Sequence, residues 1–190
     1  ARRQRQMCIR DRDEVLNGFA VPANYTIIWV DQNDAALWTG DEKWLRTVLA
    51  HELQHLVYFN TVKGPWWLPE PMNSLAHGTP AWIVEGIAEY FTEEWRPFRY
   101  ELSHRYHVLR NTVHKIQDPH NDGYSKSLYL ADRFGDSTIS KILNHRNKLK
   151  FLDFKESFKK HTGITLKQFN EDWRRQMNTF YFSQRSQKER

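Results

Sequence analysis

The pattern His51-Glu52-Leu53-Gln54-His55 constrains this chain more than any other stretch of it. Residues four apart are neighbours on an α-helix, about 5–6 Å between Cβ atoms, and are far apart on an extended strand. The pair of imidazoles therefore has chemical meaning only if this segment is helical. Its surroundings agree. Asp41 reads as an N-cap, and from there to about Tyr58 apolar residues recur at helical spacing. Leu45, Leu49, Leu53 and Leu56 form one stripe, with Trp44, Val48, His51 and His55 on the adjoining one. A helix apolar over so much of its surface is expected at the centre of its domain.

The rest of the chain reads as α+β, with a small N-terminal sheet and a mainly helical remainder. Tyr25 to Val30 is a β-branched and aromatic run between Pro22 and Asp31, expected as a buried strand. Ala35 to Thr39 is a shorter candidate edge strand before Gly40. Residues 60–78 hold Gly64, Pro65, Pro69, Pro71 and Gly78, too many breakers for a regular element, so a loop or lid is expected. Thr79-Pro80 then reads as N-cap and first residue of a second helix reaching about Glu94. Beyond Pro97 helices are expected at 98–116, 124–134 closed by Gly135, 138–147, 151–161 closed by Gly163, and 165–181. The last opens on the capping box Thr165-x-x-Gln168 and carries Leu166, Phe169, Trp173 and Phe180 at core spacing.

A length of 190 residues suits one packed domain. Its expected span is 13–182, with the sheet and the histidine helix at about 20–60 and a helical lobe at 79–182. Met7-Cys8-Ile9-Arg10-Asp11-Arg12 resembles adapter-derived sequence at the ends of assembled reads, so residues 1–12 are expected to be non-native or disordered. Residues 183–190 read as a basic tail. The net charge of +5 would permit an anionic partner, but the basic residues are spread over 2–12, 141–160 and 185–190 with acids among them. No basic-aromatic signature accompanies them, so nucleic acid is not expected as a partner. Cys8 is the only cysteine, which excludes an intrachain disulfide and a cysteine-based metal site. No run approaches the roughly 18 apolar residues of a membrane span. Compartment and oligomeric state are left unassigned.

With cysteine excluded, His and carboxylates remain as metal ligands. The HExxH spacing lets both imidazoles reach one ion at about 2.0–2.1 Å while Glu52 sits beside the open coordination position as a base. The location of a third ligand separates families. A metzincin continuation needs Gly at 58 and His at 61, where the chain has Tyr58 and Thr61. Downstream stands Trp82-Ile83-Val84-Glu85-Gly86-Ile87-Ala88-Glu89-Tyr90. Glu85 and Glu89 are one helical turn apart and repel unless something compensates them. A zinc ion does so, with Glu85 as ligand and Glu89 accepting the outer N–H of a ligating histidine. Glu70 and His77, in the loop, are rivals for the third position.

These residues resemble the gluzincins, and especially the bacterial peptidase MA-like group, whose second motif is a Trp-x-x-Glu-Gly-x-Ala-Glu-Tyr helix. The resemblance runs on through Gly123-Tyr124-Ser125-Lys126, residues 129–135 and Phe169 to Trp173, so it covers roughly 25–178. The gap from His55 to Glu85 exceeds that of thermolysin or of the aminopeptidase branch. The resemblance implies a zincin-like fold, one Zn2+ per chain, and peptide hydrolysis in which Glu52 takes a proton from the attacking water. It implies an oxyanion donor as well, for which Tyr124 resembles the first residue of the aminopeptidase branch's Tyr-x-Lys-Gly, with Ser127 where Gly would be. His107, His114 and His120 are alternatives for that role, and Tyr129 reads as core. The branch's amine-capturing Gly-x-Met-Glu-Asn is not found. Ala35, Ala36, Leu37 and Trp38 look instead like the edge strand on which a gluzincin lays an extended peptide, which favours an endopeptidase. The alternatives are a non-catalytic zinc-binding domain with four protein ligands, His77 for instance completing the sphere, and a basic nucleic-acid-binding protein.

Overall fold

The computed structural model describes residues 18–21, 25–28, 44–65, 67, 77–92, 98–115 and 118–188. Asp41, the Ala35–Thr39 candidate strand, Glu70 and residues 1–12 lie outside them. The architecture is α+β and mostly helical. Two short strands, β1 (Gly18–Val21) and β2 (Tyr25–Ile28), pair antiparallel with Gly18 opposite Ile28 and Val21 opposite Tyr25. Among the described residues seven helices come after them: α1 (Trp44–Thr61), α2 (Ala81–Thr92), α3 (Phe98–Leu109), α4 (Pro119–Phe134), α5 (Ser137–Asn144), α6 (Phe154–Thr162) and α7 (Leu166–Lys188). A 3₁₀ turn, Val113–Lys115, stands between α3 and α4. Among the described residues no helix is long and apolar enough to cross a membrane.

The strand expected as buried is covered on one face only. Ile28 packs on Trp44 and Val48 of α1, while Tyr25 and Ile27 are exposed. Alternation of this kind is what a sheet with one covered face requires. β1 was not foreseen: four residues, Gly18-Phe19-Ala20-Val21, are too few to carry a periodicity, and the strand exists by pairing with β2. The central position expected for α1 is half realised. Its Trp44, Val48, His51 and His55 stripe is buried, whereas Leu45, Leu49 and Leu53 are exposed at 42%, 40% and 45%. Sheet and α2 both pack on the first stripe, and of the second only Leu56 is half-buried among the described residues.

The main core gathers Tyr58 near the end of α1 and Val62 just beyond it, Ile83 and Ile87 from α2, Leu130 from α4, Ile142 from α5, Phe154 and Phe158 from α6 and Phe169 from α7. Caps explain where the C-terminal helices begin and end. Asp153 accepts from the Glu156 N–H, and Gly163, at φ 76°, closes α6 in the left-handed region that glycine adopts without strain. Thr165 and Gln168 bond reciprocally at the start of α7, at 2.9 and 3.2 Å, as the capping box predicts. In α7 the buried aromatics are Phe169, Trp173 and Tyr181. Phe180, expected in the core, is half exposed, because Val108 of α3 and Val113 cover the side of the helix that Tyr181 occupies. The helix also runs on to Lys188, into the stretch read as a tail.

Helix α4 decides how the site is built, and it starts earlier than the expected 124. Asp118 is the N-cap, its carboxylate accepting from the His120 N–H at 3.0 Å, and Pro119 takes the first helical position. The helix continues through Gly123 because α2 and α4 pack backbone to backbone there. A Cβ on Gly86 would collide with the Gly123 carbonyl, and one on Gly123 with the Trp82 carbonyl. Two turns of α4 further lock it in place. Lys126 is buried between the indoles of Trp82 and Trp173, 5.2 and 4.9 Å from the ring centres, and is paired with Asp122 at 2.7 Å. Gly86→Ala is therefore expected to destabilise the chain by about 3 kcal/mol or more, since backbone cannot yield as a side chain does. Urea unfolding of that variant checks it, and an unchanged midpoint would mean that the two helices are not in contact there.

Candidate functional site

On α1 the i, i+4 spacing puts His51 and His55 side by side, both buried, with their Nε2 atoms 3.1 Å apart. Glu85 reaches in from α2. Its Oε2 lies 3.5 Å from His51 Nε2 and 3.2 Å from His55 Nε2. Three donor atoms thus form a nearly equilateral triangle. Ligands at about 2.0–2.1 Å from a tetrahedral ion stand about 3.3 Å apart. The spacing of the three donor atoms fits such an ion, and the donor set, two imidazoles and a carboxylate, suits a borderline-soft divalent metal.

Electrostatics at the triangle are cooperative. Burial acts to raise the Glu85 carboxyl, but hydrogen bonds from His51 and His55 outweigh it and hold the group well below the usual carboxylate range. For His55 the order is mirrored: burial favours the neutral ring, while the Glu85 hydrogen bond and the nearby acids raise it. His55 Nδ1 is buried without a hydrogen-bond partner among the described residues.

Glu52 projects from α1 one residue past His51 and is 6% exposed. Burial raises its carboxyl above the ordinary value, with His51 and His55 partly opposing the shift. Its Oε2 has no hydrogen-bond partner among the described residues, an unusual state for a buried carboxylate. On the other side β1 lies against it: a Cβ at Gly18 would stand 3.3 Å from Glu52 Oε1 and 3.1 Å from the Ile27 carbonyl. Glycine allows the strand to close on the carboxyl.

Glu89, one turn beyond Glu85, is fully buried, and its Oε1 is 3.8 Å from His51 Nδ1. It faces the outer nitrogen of a histidine in the triangle at a distance beyond hydrogen-bond reach, and its nearer partner is another ring. His120 Nδ1 lies 3.1 Å from the same oxygen and 3.6 Å from Glu85 Oε2. The His120 ring stacks on His51, centroids 5.7 Å apart and planes at 27°. His51, Glu85 and His120 form a second possible donor set, within 4.8 Å of one another, and the triangle with His55 is tighter.

Of the other candidates, Tyr124 is buried on α4 one turn beyond His120, on the same face of the helix. His107 Nδ1 is engaged by Thr112 Oγ1 at 2.9 Å at the far end of α3, and His114 is exposed. His77 is buried near Val62 and Arg146, with its carbonyl accepting from the Phe154 N–H, so it belongs to the junction of α1 with α6. The Ala35, Ala36, Leu37 and Trp38 segment lies outside the described residues. His120 was legible only as one of three histidine alternatives. The signal that could have raised it is Asp118-Pro119, a cap and first-turn proline that start the helix a turn earlier and put His120 and Tyr124 on one face.

No model of a known family matches the chain, and no curated protein and no solved structure matches it.

Proposed function

We propose that the chain is a zinc-dependent peptidase of the gluzincin kind, in a zincin-like fold, with His51, His55 and Glu85 as metal ligands and one Zn2+ per chain. The observation that carries this reading is the 3.1–3.5 Å triangle of donor atoms beside a buried Glu52 oxygen that has no hydrogen-bond partner among the described residues. When bound, zinc supplies Lewis acidity, which polarises a peptide carbonyl and makes water a better nucleophile at neutral pH. Glu52 takes the proton of the attacking water and delivers it to the leaving amine, a task suited to a carboxyl whose affinity for protons burial has raised. β1 at Gly18 closes one side of that carboxyl and limits where the water can stand. As the resemblance implies, Tyr124 donates its O–H to the oxyanion, and Ala35 to Trp38, outside the described residues, would be the segment that takes an extended peptide; that segment favours an internal peptide bond of a protein as substrate.

A second reading keeps the metal and drops the turnover. The approach of His120 to Glu85 Oε2, 3.6 Å, supports a closed sphere of four protein ligands. Glu52 argues against it, since a closed structural site has no use for a buried carboxylate beside it.

Zinc content and hydrolysis of an unfolded protein substrate separate these. The peptidase reading expects about one zinc per chain, activity abolished by a chelator, and recovery on adding zinc back. Zinc without hydrolysis supports the closed site, and no zinc removes both readings. For Tyr124→Phe the expected result is a fall in kcat of about 10²–10³ with KM, zinc content and melting temperature nearly unchanged. A core tyrosine would behave in reverse: kcat would stay and stability would drop by about 1 kcal/mol.

A further inference from the structure

His120 has no place in the HExxH helix or in the second glutamate motif, yet three independent features of α4 deliver it to the metal triangle. Asp118 caps the helix through the His120 N–H, the Gly86–Gly123 contact seats α4 directly on α2, and the buried Lys126–Asp122 pair locks the next turn between Trp82 and Trp173. The outcome is an imidazole Nδ1 3.1 Å from Glu89 Oε1. A carboxylate only accepts, so Nδ1–H donates. Glu89 is 1% exposed and sits one turn from Glu85, a like charge, so its ionised form needs hydrogen-bond donors to persist there. Two rings flank the same oxygen, His120 at 3.1 Å and His51 at 3.8 Å, and the nearer one comes from α4.

We infer that His120 is a positioning residue of the metal centre: by donating to Glu89 it holds that carboxylate against His51 Nδ1, so the orientation of the first histidine ligand depends on helix α4. This rests on the zinc reading. Orientation of a ligating histidine through its outer nitrogen commonly changes metal affinity, and here the chain of contacts runs from α4 through Glu89 to His51. The competing geometry is direct ligation, in which His120 leaves Glu89 and becomes a fourth donor beside Glu85.

Zinc affinity is measured by chelator competition for wild type, Glu89→Gln, His120→Leu, His120→Asn and the Glu89→Gln/His120→Leu double variant, and cobalt(II) spectra are recorded for each. His120→Leu and Glu89→Gln should each weaken binding by about 10–100-fold, the range for loss of such an outer partner. The double variant should be no weaker than the worse single one, because both changes break one contact. His120→Asn, whose side-chain amide nitrogen stands where Nδ1 stood, should stay within a few-fold of wild type. Cobalt bands should keep their positions in His120→Leu, since the ligand set is unchanged. Additive losses, shifted cobalt bands in His120→Leu, or His120→Leu affinity equal to wild type would each overturn the inference. Should His120→Leu not fold, an Asn variant as weak as Glu89→Gln overturns it equally. Wild type that binds no metal removes the zinc reading and this inference together, whereas metal binding indifferent to His120 removes the inference alone.

Discussion

Glu85→Ala is expected to reduce zinc from about one per chain to a small fraction, a larger loss than the about 10–100-fold attached to an outer hydrogen-bond partner. Two vertices of the triangle, the Nε2 atoms of His51 and His55, come from one helix, and the third is Glu85 Oε2 alone. With it gone, two imidazoles remain, and Glu89, behind His51 and occupied by His120, is turned toward the outer nitrogen of His51. The same change should uncouple stability from metal. A ligand at a thousand times its Kd stabilises the folded chain by about 4 kcal/mol, so a chelator should lower the melting temperature of the wild type and leave that of Glu85→Ala where it is. His77→Ala serves as the comparison. His77 packs near Val62 and Arg146, so its loss should affect folding and spare the metal. Tight zinc binding by Glu85→Ala, with loss in His77→Ala, would reassign the third ligand.

Glu52→Gln should keep both zinc and fold while turnover falls by about 10²–10⁴, the usual contribution of a positioned acid-base group. The amide has the size of the carboxyl, so packing against Gly18 survives, but it cannot take a proton. Since Glu52 Oε2 has no partner among the described residues, the substitution breaks no hydrogen bond seen there and the melting temperature should hardly move. The pairing of an unaltered zinc content with lost hydrolysis is the diagnostic. Hydrolysis at the wild-type rate by Glu52→Gln would sink the mechanism, and loss of zinc would make Glu52 part of the sphere that holds the metal.

Much of the site and fold was readable from neighbouring residues. The HExxH spacing, the Glu85 and Glu89 turn, the Thr165–Gln168 capping box and the Gly135 and Gly163 helix ends all appear where local pattern puts them, because each depends on residues within about four positions of one another. Other features had a local signal that was outweighed. Tyr124 read as a helix start because Tyr124-Ser125-Lys126 resembles a Tyr-x-Lys-Gly helix start, whereas Asp118-Pro119 had already opened the helix. The leucine stripe of α1 read as core because sequence counts apolar positions on a helix without saying which neighbour arrives to cover them.

The sequence by itself determined a helix with two imidazoles on one face, a second helix with two carboxylates a turn apart, and α-helical structure for most of the chain beyond Pro97, since hydrogen bonding and side-chain proximity inside a helix are set by short-range spacing. Only the tertiary structure decided that Glu85 Oε2 closes the triangle, that β1 lies on Glu52, and that His120 reaches Glu89. Those three join segments distant in the chain, and their distances depend on how closely two backbones can approach. At Gly86 and Gly123 the absence of side chains lets α2 and α4 touch, and no periodicity along either helix encodes which glycine of one meets which glycine of the other.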